Sequence, residues 1–161
     1  MNSVHSRGLD KIMVFHNKQK TRLLFIDDDE INNFILQELF ADEQDLTLTF
    51  FSDSPAAYDH LRYTAEENPE ELPDIVFMDI KMPILDGFEF LDRLQDDGFL
   101  NDKPVDIFLL SSTLDSRDVK RAASYARIKE LVTKPLTVDK FRTLVARHFK
   151  NGVTSDHRSD S

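Results

Sequence analysis

The chain has 161 residues, 30 acidic and 20 basic, giving a formal net charge of -10, and it contains no cysteine. The acidic balance, with no long basic run to offset it, speaks against direct nucleic-acid binding, and the missing thiols exclude disulfides, thiolate metal sites and cysteine nucleophiles. No apolar run is long enough for a membrane span and the N-terminus makes a poor signal peptide, so the expected setting is the cytoplasm, with 40 % hydrophobic residues to build the core of one domain.

Residues 1–20, "MNSVHSRGLDKIMVFHNKQK", are polar with scattered apolar positions and no clear period. They are expected to form a flexible extension. A rhythm then begins. Residues 23–26, "LLFI", form a short apolar run that reads as a strand, and Ile31, Phe34, Ile35 and Leu39 follow at helical spacing. "LTLTFF" (46–51) is rich in strand formers. "SPAAYDHLRYTAEE" predicts a helix with Ser54 as its cap and Pro55 in the first helical position. "PDIVFMD" is another apolar strand, ending at Asp79, and "DGFEFLDRLQ" sets Phe88, Leu91 and Leu94 on one helical face. "VDIFLLSS" reads as a fourth strand, "DSRDVKRAASYA" as a modest helix and "IKELVTKP" as a short fifth strand. "TVDKFRTLVARHF" predicts a last helix capped by Thr137, with Phe141, Leu144, Val145 and His148 along one side. Residues 151–161 are polar and are expected to be a disordered tail.

Five strand-helix units in alternation imply an α/β fold, with a parallel sheet covered by helices on both faces. In such folds ligands sit beyond the carboxyl ends of the strands. Those ends are informative here. The first strand finishes in Asp27 and Asp28, the third in Asp79, the fourth in Ser111 and Ser112, and the fifth in Lys134 followed by Pro135. Parallel strands bring all of these to one edge. Three crowded carboxylates repel one another, and a hard divalent cation relieves that repulsion. Mg2+ fits best, because it binds through one or two carboxylates and favours phosphate oxygens as further ligands. Lys134 can meet one phosphoryl oxygen as a point charge, Ser111 can donate to another, and Asp79 can itself accept the phosphoryl group.

With "FIDDDE", "DIVFMDIKMPILDGFEFL", "LLSS" and "LVTKPL" in this order and spacing, the sequence resembles the response-regulator receiver domains of two-component signalling, over roughly residues 21–150. The resemblance implies a doubly wound, flavodoxin-like five-stranded sheet of order 2-1-3-4-5. It implies that Asp79 is the phosphoacceptor, Asp28 a direct metal ligand and Asp27 an acidic neighbour acting largely through water. The Lys81 backbone carbonyl would complete the protein ligands of Mg2+, with Asp79. Ser111 would be the switch hydroxyl, Lys134 the family's lysine, and Lys134–Pro135 a cis peptide, while Pro83 and Gly87 match the loop after the acceptor. The chain departs from the pattern at Leu131, where many receivers carry an aromatic residue, and at Ser112, where a small alanine is common. Lys81 and Thr113 occupy the two variable positions beside the site.

The function so implied is a stand-alone switch. A sensor histidine kinase or phosphotransfer protein would supply the phosphoryl group, and a downstream protein would read the altered surface. Such a chain catalyses only its own phosphorylation and dephosphorylation. A Mg2+-dependent phosphohydrolase is the alternative, but Lys81 stands where a second acid two residues after Asp79 would be expected, and no inserted cap segment is evident. A binding module that is never phosphorylated is a third reading, and the complete acid, hydroxyl and lysine set argues against it.

Overall fold

The computed structural model describes residues 20–159, so the expectation for residues 1–19 falls outside the described residues. Along the chain run β1 (Thr21–Ile26), α1 (Glu30–Leu39), β2 (Leu46–Phe51), α2 (Ser54–Glu67), a single 3-10 turn (Pro69–Glu71), β3 (Ile75–Asp79), α3 (Gly87–Asp97), β4 (Asp106–Ser111), α4 (Ser116–Ala123), β5 (Ile128–Thr133) and α5 (Val138–Ser159). The sheet order is β2-β1-β3-β4-β5, every pairing parallel. This is the flavodoxin-like architecture the strand-helix alternation and the motifs imply. Every residue of β3 is buried, as a central strand covered on both faces requires.

Each face of the sheet carries its own core. On one side Leu24, Ile26, Val76, Met78 and Leu109 pack with Tyr58, Leu61, Phe88, Phe90, Leu91 and Leu94 from α2 and α3. On the other, Leu23, Phe25, Phe77, Phe108 and Leu110 meet Leu36 and Phe40 of the α1 side and Phe141, Leu144 and Val145 of α5. This second face contains a ladder of rings. Phe50, Phe25, Phe77 and Phe108 are register partners across four adjacent strands. Their centroids are 4.7, 5.1 and 5.3 Å apart, with interplanar angles of 12°, 11° and 18°. Each fully buried Phe of this kind contributes about 1.5–3 kcal/mol through burial alone.

Two local expectations change, and α1 is rotated in a way that its helical spacing alone does not fix. The apolar row of α1 faces outward: Ile31, Phe34, Ile35 and Leu39 are 73, 62, 48 and 51 % exposed. The inward side carries Asn33 and Leu36, followed by Phe40 at the cap. The rotation follows from Asn33, whose side-chain amide donates to the backbone carbonyl of Asp27 at 2.8 Å and so must point at the sheet. The α2 cap is Asp53, one residue earlier than expected, with its carboxylate accepting from the Ala56 amide. Asp and Ser both serve there, and Ser54 is drawn elsewhere: its hydroxyl donates to the Leu85 carbonyl at 2.6 Å. Finally, residues 151–159, read from composition as tail, continue α5 as helix to Ser159. Extending an existing helix avoids the nucleation cost that makes isolated polar helices unstable.

Candidate phosphoacceptor and cation site

Strand pairing brings the candidate residues to one edge. Asp79 pairs with Leu110, Ser111 pairs with Thr133, and Ile26, the last residue of β1, pairs with Met78. Cross-links between strand ends hold that edge together: the Ile80 amide donates to Leu110 O at 3.0 Å and the Lys134 amide to Ser111 O at 2.7 Å. The Lys134–Pro135 peptide is cis.

Asp27 and Asp79 are buried, whereas Asp28 is exposed. One ligand oxygen from each of the three lies within 4.8 Å of the other two. Lys134 bridges the two buried acids, its Nζ 2.9 Å from Asp27 Oδ2 and 2.8 Å from Asp79 Oδ2. Three carboxylates and one ammonium leave two negative charges in the crevice, which suits a divalent cation with oxygen ligands. Burial raises the Asp79 pKa above the ordinary carboxylate value, with the Asp27 charge adding to the rise and the Lys134 hydrogen bond and charge opposing it. Burial alone would lower the Lys134 pKa, but its hydrogen bonds to Asp79 and Asp27 and their charges outweigh that, and it stands above the ordinary lysine value.

Asp28, Lys81, Pro83, Asp86, Asp118 and Arg121 line an open crevice of 560 Å³ at this edge. The Lys81 amide donates to Asp79 Oδ1 at 3.3 Å, so the turn after β3 wraps Asp79, as required if the Lys81 carbonyl is to face a cation there. Gly87 is needed for close approach. A Cβ on it would lie 2.9 Å from Asp79 O and 3.0 Å from Ile80 Cα, and its amide donates to Ile80 O at 2.7 Å. Within the same turn Ile84 has φ 70° and is 86 % exposed, a strained conformation for a β-branched residue.

Ser111 is buried at the end of β4, and its hydroxyl is engaged within its own loop. It donates to Thr113 O and accepts from the Thr113 amide at 3.2 Å. The hydroxyl is thus next to the end of β3 but committed to the turn that leads into α4.

Two residues of this site escaped the sequence reading. Asn32 donates through Nδ2 to Asp27 Oδ2 at 2.9 Å, and Asn33 fixes the Asp27 carbonyl. Asp29 is the α1 cap: its Oδ1 accepts from the amides of Ile31 and Asn32, both at 3.1 Å. The signal for Asn32 and Asn33 was present as two adjacent side-chain amides one turn into a helix that starts beside an acidic pair. His148, on the side of the last helix that carries Phe141, Leu144 and Val145, is partly buried and meets Asp106.

The family model of the response regulator receiver domain matches residues 23–146. Among curated proteins, the chain is 29 % identical over 119 residues to a protein-glutamate methylesterase/protein-glutamine glutaminase of the group 3 operon of Bradyrhizobium diazoefficiens. The match covers 73 % of this chain but 30 % of that protein, so the chain spans under a third of such relatives. A probable methanogenesis regulatory protein, FilR2, of Methanothrix harundinacea is 28 % identical, with 87 % of this chain and 88 % of that one covered. Among solved structures, a two-component response regulator from Cytophaga hutchinsonii superposes with a TM-score of 0.72 at 26 % identity, covering 83 % of this chain and 99 % of that one.

Proposed function

The chain belongs to the response regulator receiver family, and on that premise we propose that it is a phosphoacceptor switch whose acceptor is Asp79. The observation that carries this reading is the convergence of Asp27, Asp28, Asp79 and Lys134 at one strand edge. The donor is the phosphohistidine of a sensor kinase or phosphotransfer protein. An Asp79 carboxylate oxygen forms a bond to phosphorus, the phosphorus–nitrogen bond breaks, and the electron pair leaves with the imidazole. Lys134, already on Asp79 Oδ2, is placed to meet the charge on a phosphoryl oxygen. Asp28, Asp79 and the Lys81 carbonyl would hold Mg2+ directly and Asp27 through water; when bound, the ion neutralises phosphoryl charge. In this reading the chain acts in the cytoplasm and catalyses only its own phosphorylation and dephosphorylation.

The switch follows from where the Ser111 hydroxyl now points. A phosphoryl group on Asp79 offers a charged acceptor, stronger than the Thr113 carbonyl. Moving the hydroxyl to it releases Thr113 and the loop into α4. That helix buries only Ala122, so little packing opposes its movement. Leu131, half-buried in β5, changes rotamer without an aromatic ring to relocate. Two surfaces suit protein partners. The outward row of α1 lies beside the crevice for a donor, and a 450 Å³ groove lined by Leu114, Leu131, Leu144 and Arg147 lies beside the moving loop for a target. Among the described residues, no helix is long and apolar enough to cross a membrane.

The test is intact mass after incubation with acetyl phosphate and Mg2+. The wild-type chain should gain one phosphoryl group and Asp79→Asn none, since an amide is no nucleophile here. Unchanged labelling of Asp79→Asn would move the acceptor to another residue. Ser111→Ala should still be labelled but lose the α4 shifts in backbone NMR.

A further inference from the structure

We propose that Asn32 is a positioning residue that sets how the Asp27 carboxylate divides itself between Lys134 and a bound cation; this rests on the Mg2+-dependent phosphoacceptor reading above. Asp27 is the most constrained group in the site. Its Oδ1 accepts from the Asp29 amide at 3.0 Å. Its Oδ2 accepts twice, from Asn32 Nδ2 at 2.9 Å and from Lys134 Nζ at 2.9 Å. A carboxylate has about four acceptor positions, so three donors leave little for a cation. Asp28, one residue on, is exposed and has no hydrogen-bond partner among the described residues. The two neighbours therefore differ in how much carboxylate each has free, and the Asn32 amide is one source of that difference.

The contact on Oδ2 matters most, because the amide and the ammonium share one oxygen. A neutral N–H donor disperses part of the charge on that oxygen. It weakens the pull of Asp27 on Lys134, whose other contact is Asp79 Oδ2 at 2.8 Å. Without the amide, Oδ2 attracts both cations more strongly. Lys134 moves toward Asp27 and away from the acceptor, and a divalent ion meets a less satisfied carboxylate. The loss of Asn32 thus pushes two observables in opposite directions: metal affinity rises and acceptor reactivity falls. A merely structural role would lower both.

Asn32 is only partly buried, so Asn32→Ala should fold. Mg2+ affinity would be measured on the unphosphorylated full-length protein by amide NMR titration. The rate of mass gain from acetyl phosphate would be measured at saturating Mg2+ for each protein, so that affinity does not confound it. We expect roughly three- to tenfold tighter Mg2+ binding, on the scale of one ordinary net hydrogen bond, with labelling several-fold slower. Asn33→Ala, which removes a donor to the Asp27 backbone carbonyl instead, should lower the melting temperature without this opposed pair of changes. Parallel losses in Asn32→Ala, or no change in either quantity, would overturn the assignment. If the wild-type chain is not labelled at all, the phosphoacceptor reading fails, and the Mg2+ titration alone decides the role of Asn32: tighter binding in Asn32→Ala upholds it, equal or weaker binding ends it.

Discussion

Helices α1 and α3 occupy equivalent places and are built in opposite ways. Each leaves a strand that ends in the site's aspartates, and each is capped by an aspartate, Asp29 or Asp86. Yet α3 buries Phe88, Phe90, Leu91 and Leu94, while α1 buries Asn33 and Leu36 and turns its apolar row to solvent. Strand β3 is held in place by packing, the end of β1 by side-chain amides. The difference shows how one fold can fix a reactive group rigidly while leaving an adjacent apolar helix face free for a partner.

The widest gap between the two helices should appear in stability. Phe90 is fully buried, and Phe90→Ala should cost about 3–5 kcal/mol in chemical denaturation. Next comes the turn that feeds α3. Gly87→Ala places a Cβ against Asp79 O at 2.9 Å, a backbone clash expected to cost about 1–3 kcal/mol and to slow acetyl phosphate labelling by displacing the acceptor. Normal labelling and stability in Gly87→Ala would show that α3 can retreat, and would weaken the claim that packing fixes Asp79.

A third effect depends on pH. Tyr58 of α2 packs edge-on against Phe90 at 5.1 Å and donates to Asp97 at the end of α3. Burial, then the hydrogen bond to Asp97, push its pKa up to about 12. A phenol whose folded pKa is raised stabilises fully below its unfolded value near 10, and that stabilisation fades as pH rises through about 12. An absorbance titration compared with that of Tyr58→Phe should isolate a phenol ionising near that value; one ionising near 10 would mean the α2–α3 contact is open. The smallest effect belongs to α1. Phe34→Ala should stay within about 0.5 kcal/mol of wild type while weakening any partner that uses the α1 row. A loss comparable to that of Phe90→Ala would erase the distinction between the helices.

The sheet was legible because β1, β3 and β4 are short apolar runs of the kind that only burial on both faces explains, and alternation with helices forces them parallel. The same logic put Asp27, Asp28, Asp79, Ser111 and Lys134 at one edge before any contact was known. The rotation of α1 was not legible. A 3.6-residue period identifies an apolar face but does not say whether the sheet or a partner covers it. The deciding contact is a polar one, Asn33 to the Asp27 carbonyl, and asparagine on a helix carries no hydrophobic signal. Asn32 was hidden for the same reason. At the start of α2, two good caps stand side by side, and Ser54 was diverted by the Leu85 carbonyl, which is 31 residues away in sequence.

The phenylalanine ladder has a spectroscopic consequence. Four nearly parallel rings cross four strands, and their magnetic anisotropies add, so protons above and below that stack resonate far from ordinary positions. In a chain without tryptophan, these shifted signals form a built-in gauge of strand registry. If β4 slid along β3, Phe108 would leave Phe77 and the pattern would collapse. If only the loop beyond Ser111 and α4 move, the gauge stays still while the amides of that loop and of α4 shift. One proton spectrum, recorded with and without a phosphoryl mimic, therefore separates a sheet that deforms from a sheet that serves as the fixed frame for a moving edge.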